Sequence, residues 1–179
     1  MSLKFIFTTH PSLKTIAVNQ SFASEHWGVN SHEGDVRLDF FAKPDYLAQL
    51  FFEDRLVSSL VLFIRQLDFQ GKKYTFVGIG GVVTHIDYRH RGFATKLLQK
   101  SLAKVSNCDF ALLATDVDKI GPLYERVGFV ALDRPYLFLD KNGLKKPDPG
   151  GMIAPLSSPE AVDSILHSPT EIFVGASAF

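Results

Sequence analysis

The sequence has no excess of either charge: 19 Lys and Arg stand against 19 Asp and Glu, a formal net charge of zero. No overall field draws the chain to nucleic acid or to an anionic membrane, and an anion it binds must be gripped locally. A basic stripe interleaved with aromatics is missing too, so no nucleic-acid partner is expected. Cysteine is nearly absent. Cys108 stands alone, which rules out an intrachain disulfide and fits a reducing, cytoplasmic setting. Within "NCDFALLA" it reads as buried packing. No apolar run reaches the ~18 residues of a membrane span. "MSLKFIFTTHPSL" has too short an apolar part for a secretory signal and no small-residue cleavage site, so no membrane partner is expected. The 6 histidines show no metal-ligand spacing, and no metal site is expected. Internal repeats and low-complexity tracts are lacking.

What is present is core-forming material. The chain is 46% hydrophobic and 12% aromatic, with 16 Phe, which argues against disorder. Its 179 residues suit one domain, 1–179. "LKFIFTT" reads as a strand. "HPSLKTIAVNQSFASEHW" reads as a helix, with Pro11 near its start and Leu13, Ile16, Ala17 and Phe22 along one side. Residues 28–45 read as a loop-rich connection. "YLAQLFFE", "LVSSLVLFIRQLDF" and "KKYTFVGIGGVVTHI", joined by turns at Asp54–Arg55 and Gln70–Gly71, predict an antiparallel meander. After His85 the period becomes helical: Ala94, Leu97, Leu98, Leu102 and Val105 share one face, and Lys96, Lys100 and Lys104 lie off it. "DFALLATDV" is apolar throughout, as in a strand covered on both sides. "KIGPLYERV" predicts a short helix ended by Gly128. "FVALD" and "PYLFLD" read as strands, "KNGLKKPDPGG" as a polar connection, and the stretch from "MIAPL" to "EIFVGASAF" as a further strand and a short helix. The fold class is α/β with a mixed sheet, and a strand–helix–strand unit over 74–117 at its centre.

One junction in that unit is chemically pointed. In "DYRHRGFATKLL", Arg89, His90 and Arg91 gather where a helix begins, next to Gly92. The first amides of a helix have no intrahelical partner, and a glycine lets a ligand approach them. Cations belong at helix C-termini, so two arginines at an N-terminus imply a compensating anion; arginine can bind phosphate oxygens bidentately. Simple capping and solvation of the loop is the other reading. "VGIGGVV" lacks the Lys-Ser/Thr ending of a phosphate loop and the placement of a dinucleotide fingerprint. Its glycines lie inside a strand, where they signal a bulge or close backbone approach. A strand splayed there would leave free amides and carbonyls beside the turn, ready for an extended amide-bearing ligand.

"VVTHIDYRHRGFATKLL" resembles the acyl-CoA signature of the GNAT superfamily of N-acetyltransferases, Arg/Gln-x-x-Gly-x-Gly/Ala, with Arg89, Gly92 and Ala94 at its fixed positions. "LYERVGF" is similar to the family's second signature, Leu-Tyr-x-x-x-Gly-Phe, through Tyr124, Gly128 and Phe129. The resemblance covers about residues 46–132, with the acyl-CoA-binding core at 74–132 and a C-terminal extension over 133–179. It implies a GNAT-type mixed, largely antiparallel central sheet flanked by helices, with acetyl-CoA as co-substrate. It also implies that the backbone of Val82, Val83 and Thr84 pairs with the pantetheine amides. The turn of Arg89, His90, Arg91, Gly92, Phe93, Ala94 and Thr95 would hold the pyrophosphate, and Tyr124 would lie near the thioester sulfur. A phenol of pKa ~10 can donate a proton to a leaving thiolate of pKa ~8.5.

Within the superfamily, "LVLFIRQLDFQGKKYTFVGIGGVVTHIDYR" and "GGMIAPL" are similar to the aminoglycoside 2′-N-acetyltransferases, which carry an acidic general base just before the signature strand's Gly-Val. Gly80 stands at that position here. Glu25, Glu33, Asp35 and Asp39 are carboxylates available to a cationic acceptor, or simply scattered surface acids. For a base, Asp116 at the end of the apolar strand is preferred over His85; capping of the next helix is the equal alternative for Asp116, and a structural role that for His85. The expected activity is acetyl transfer to a primary amine of a small molecule, by a monomer or homodimer. An acyl-CoA-binding sensor with little turnover is the alternative.

Overall fold

The computed structural model describes residues 2–27 and 42–176. Four strands, β1 (Leu3–Thr9), β2 (Tyr46–Phe52), β3 (Arg55–Phe69) and β4 (Lys72–Thr84), pair antiparallel in chain order. The expected meander is therefore formed. Its turns carry left-handed pairs, Glu53 and Asp54 at φ 49° and 61° and Gln70 and Gly71 at 51° and 76°, the backbone that matches strand twist in tight hairpins. The first turn falls one residue earlier than the Asp54–Arg55 reading. Helix α1 (Leu13–His26) links β1 to this meander through residues of which 28–41 lie outside the described set, as do Glu33, Asp35 and Asp39.

A helical crossover, α2 (Phe93–Lys104), carries the chain from β4 to β5 (Phe110–Ala114), which lies parallel to β4. Then follow α3 (Val117–Glu125), β6 (Val130–Ala131), β7 (Tyr136–Leu139), β8 (Lys145–Asp148), β9 (Gly151–Pro155), α4 (Pro159–His167) and β10 (Phe173–Ala176). The main sheet has the order β1-β2-β3-β4-β5-β9-β6, with β9 antiparallel to β5. A second sheet of three strands runs β10-β7-β8.

Strand alternation divides the interior into two cores. On one face Leu60, Leu62, Val77, Ile79, Leu113 and Met152 pack under Leu97, Leu98 and Leu102 of α2 and Tyr124 of α3. On the other, Phe76, Phe110, Leu112 and Ile153 meet Tyr136, Phe138, Val162, Ile165 and Val174 from α4 and the small sheet. Phe76 and Phe110 stack in this second core at 5.3 Å between centroids. Each fully buried Phe or Leu of these cores is worth ~1.5–3 kcal/mol, which fixes strand register. Cys108 is buried and free, and burial pushes its thiol pKa up, as packing requires.

Pro11 stands just ahead of the start of α1, as expected: Ser12 is the cap and accepts the Thr15 N–H at 3.1 Å. Two sequence expectations are corrected. The buried side of α1 is Asn19, Ala23 and His26, while Leu13 is 76% exposed. Ala23 meets the sheet's apolar surface at Val83, with half-buried Phe22 and Trp27 against them, so a contact near its C-terminal end, not a stripe along its length, places this helix. Finally, "KKPD" is a strand. Its residues have little strand propensity, but pairing with β7 from Tyr136–Asp148 to Leu139–Lys145 holds it, and Pro147 is tolerable because β8 is an edge. No helix among the described residues is long and apolar enough to cross a membrane.

Candidate functional site

β4 and β5 pair from Phe76–Phe110 to Ile79–Leu113 and then part. Gly80 to Thr84 keep β3 as their neighbour but no longer meet β5. The cause is local. Gly80 pairs with Val61 and Val83 with Ser59, so β4 carries one extra residue opposite Leu60, and Gly81 takes φ 58°. A bulge of this kind raises strand twist and turns the strand end away from its neighbour. β4 thus carries a bulge where its pairing with β5 ends, and beyond it the strand pairs with β3 alone. Part of that strand end is already committed: the Val83 carbonyl accepts from Ser58 Oγ at 2.8 Å.

At the far end of β4 the chain makes a 3-10 turn (Ile86–Tyr88), and His90 and Gly92 then adopt left-handed φ of 59° and 75°. Gly92 caps α2 without a side-chain bond, and the first helical turn holds no acidic residue. The first intrahelical bond runs from Lys96 N–H to the Gly92 carbonyl at 3.0 Å, so the amides of Phe93, Ala94 and Thr95 precede the ladder. This is a helix N-terminus of 12 residues with nothing of its own to offset its positive end.

The two arginines diverge. Arg91 is exposed, its guanidinium 5.1 Å from the centroid of the Tyr88 ring. Arg89 turns inward, donating from Nε to the Thr84 carbonyl at 3.4 Å and from Nη2 to the His26 carbonyl at the end of α1. His26 and His85 stack there with centroids 4.0 Å apart. His85 also meets Tyr88 edge-on at 5.3 Å, and its Nδ1 accepts the Asp87 N–H at 3.2 Å. Those contacts give His85 a structural place. Burial first, then His85 beside it, lowers the pKa of His26.

Tyr124 lies on α3, behind the last residues of β5. It is 6% exposed and packs edge-on against Phe129 at 6.0 Å. Burial pushes its phenol to about 12, against a smaller opposing pull from the Thr115 side chain. Thr115 follows β5 directly. Its N–H donates to the Gly150 carbonyl at 2.9 Å, which ties it to the start of β9. Thr115 and Gly150 carry no motif of their own, and a contact across 35 positions of chain leaves no local signal.

Asp116 is the N-cap of α3: its Oδ1 accepts the Lys119 N–H at 3.2 Å, and its Oδ2 pairs with Lys119 Nζ at 2.9 Å. Those two Lys119 contacts hold its carboxyl below the ordinary range. The structure realises the capping alternative, and a more acidic carboxyl is a poorer proton acceptor. With its carboxylate on the cap, Asp116→Ala is expected to destabilise the start of α3, read as a lower Tm. Glu25 is exposed, with Oε1 3.9 Å from His26 Nε2.

The acetyltransferase (GNAT) domain model matches residues 41–131, just over half of the chain. No curated protein sequence matches it. Among solved structures, the GNAT family N-acetyltransferase YhbS from Escherichia coli, in complex with CoA, aligns with TM-score 0.62 at 14% identity, covering 99% of this chain and 92% of that one. An acyl-CoA N-acyltransferase from Pseudomonas aeruginosa aligns with TM-score 0.59 at 20% identity, over 86% of this chain and 99% of its own. The GCN5-related N-acetyltransferase from Anabaena variabilis aligns with TM-score 0.56 at 16% identity over 75% of this chain. This chain spans only 34% of that relative's length. At these identities the likeness shows the fold.

Proposed function

Because the chain belongs to the acetyltransferase (GNAT) family, we propose that it moves an acetyl group from acetyl-CoA to a primary amine of a small molecule. In this reading residues 1–179 act as one acyltransferase domain, since β9 from the C-terminal extension completes the main sheet beside β5. The observation that carries the proposal is the parting of β4 from β5 after Ile79–Leu113, with an uncapped helix start at its outer end and a buried phenol beside its apex. An extended thioester fits that order of groups. Its pantetheine amides pair with the backbone of Val82, Val83 and Thr84. Its pyrophosphate lies on the turn from Arg89 through His90, Arg91, Gly92, Phe93 and Ala94 to Thr95, chiefly on main-chain amides. Arg91 adds charge from the exposed side.

The acceptor nitrogen, as a free amine, attacks the thioester carbonyl carbon, whose C=O electron pair moves to oxygen. The tetrahedral intermediate collapses, the C–S bond breaks, and the sulfur leaves with the bonding pair. Tyr124 presents its O–H to that sulfur as general acid. The amine's surplus proton passes to solvent, and solvent returns a proton to the phenol where Tyr124 has given up its own.

Gly80 favours a second reading from another class. With no side chain where the aminoglycoside 2′-N-acetyltransferases have an acid, the chain would bind acyl-CoA as a sensor with little turnover. An aminoglycoside-like acceptor belongs to the first reading only. Incubation with acetyl-CoA, a panel of small amines and a thiol reagent separates the two. Amine-dependent release of free CoA is the expected result. Tight CoA binding with no release across the panel overturns the enzyme in favour of the sensor.

A further inference from the structure

We propose that Arg89 is a positioning residue that clasps the end of β4 to helix α1 and so presets the donor groove, without itself touching the pyrophosphate. The proposal rests on the acyl-CoA reading of that groove and assigns a different job to one of its residues.

The geometry is specific. One guanidinium bridges two carbonyls that lie far apart in sequence, those of Thr84 and His26. His26 is the last residue of α1, where carbonyls lack intrahelical partners and the helix end is negative. The cation that looked misplaced at the start of α2 is therefore compensated by the C-terminus of α1. A planar, forked donor suits such a bridge, and a single ammonium cannot reproduce it.

The contacts around the bridge make it one body. The His26 ring, 7% exposed, lies on His85, and Phe22 meets His26 at 4.8 Å. Ala23 packs on Val83, and the His85 N–H donates to the Val57 carbonyl at 2.9 Å. Thr84, whose carbonyl takes the Arg89 bond, also donates its hydroxyl to Ser58 Oγ, 3.0 Å away. Strand end, helix end and phosphate turn are thus fixed relative to one another before any donor arrives. A groove set in this way is expected to favour the pantetheine arm, which lies along β4, as much as the nucleotide end.

Two probes distinguish a clasp from a phosphate ligand: CoA, and pantetheine, which has no phosphate. Trp27, the single tryptophan, follows α1 directly and reports both titrations by fluorescence. In Arg89→Lys, Kd is expected to rise by the same factor for both probes, about tenfold, the scale of one charge-assisted hydrogen bond. A rise for CoA alone makes Arg89 a direct phosphate ligand and overturns the proposal; so does no change for either. Amide hydrogen exchange in the unliganded protein tests the clasp apart from the donor. The Trp27 and His85 amides are expected to exchange faster in Arg89→Lys, while amides in the middle of β3 and β4 hold their rates. Equal rates at Trp27 and His85 overturn the clasp. Failure of the wild-type protein to bind either probe overturns the acyl-CoA reading and leaves the exchange result to decide on Arg89. If Arg89→Lys does not fold, Arg89→Gln, a planar donor without the charge, carries the same expectations.

Discussion

Replacing Tyr124 by phenylalanine is expected to lower kcat with acetyl-CoA about 100-fold, the low end of general acid catalysis, and to leave the Kd for acetyl-CoA unchanged. The separation follows from where the phenol sits. The ring lies in the main core, and its O–H would meet the donor only at the reacting sulfur, so its loss leaves the donor's other contacts in place. Phenylalanine keeps the ring that packs against Phe129. Burial raises the phenol to about 12. A phenol raised in this way is a weaker acid than a free tyrosine, so complete proton transfer to the departing thiolate is disfavoured. The phenol therefore acts mainly by hydrogen-bonding the sulfur as charge develops on it, in a water-poor setting where such a bond is strong.

The pH dependence has a sign. A group with its pKa near 12 stays protonated over the whole working range, so Tyr124 imposes no alkaline fall on kcat/KM. The rate should rise with pH as the acceptor amine loses its proton, then level off, in both wild type and Tyr124→Phe. An alkaline limb centred near pH 9 that vanishes in the variant would show that the phenol ionises far more easily than its burial allows.

Gly150→Ala is expected to give the largest loss of stability. A Cβ at Gly150 would stand 2.2 Å from the Thr115 carbonyl oxygen and 3.2 Å from the Thr115 backbone nitrogen. These are backbone atoms at the joint between β5 and β9 and cannot swing aside. Relief requires β9 to move off β5, which breaks the Thr115 N–H bond to the Gly150 carbonyl. Overpacking and a lost hydrogen bond together cost about 3 kcal/mol, a drop of roughly 6–12 °C in Tm for a domain of this size. Activity should fall further than stability, because Thr115 borders the Tyr124 phenol. Gly92→Ala is the contrast. Nothing lies within 4 Å of its Cβ, but its φ of 75° disfavours a side chain, so a smaller stability loss is expected there. Thermal melts of the two variants side by side check the order; equal shifts would contradict it.

Much of this was legible in the chain. The β2–β3–β4 meander, the crossover through α2 and the all-apolar β5 follow from period and turn residues, which are local. "GIGG" announced a break in β4, and the structure places a bulge at Gly81 within it. "DYRHRGFATKLL" announced an uncapped helix start. Other features were not readable. "KKPD" became a strand only because β7 lay beside it. The buried side of α1 was only partly readable: Leu13 and Ala17 are exposed, while Phe22 packs beside Ala23 on Val83 and the Arg89 bridge holds the helix end.

The sequence by itself determined most of the helices and strands and that two arginines and a glycine stand at the start of α2. Those properties depend on backbone preferences and on side-chain patterns only a few residues long. Tertiary structure alone decided what the charges do. Arg89 and Arg91 look equivalent in the chain, yet one reaches the C-terminal carbonyl of α1 while the other stays in solvent. Asp116 stands at the N-cap of α3, where the Lys119 N–H and ammonium both reach its carboxylate. An ion or a polar atom acts through what lies within 3–4 Å of it, and only the folded chain decides which groups come that close.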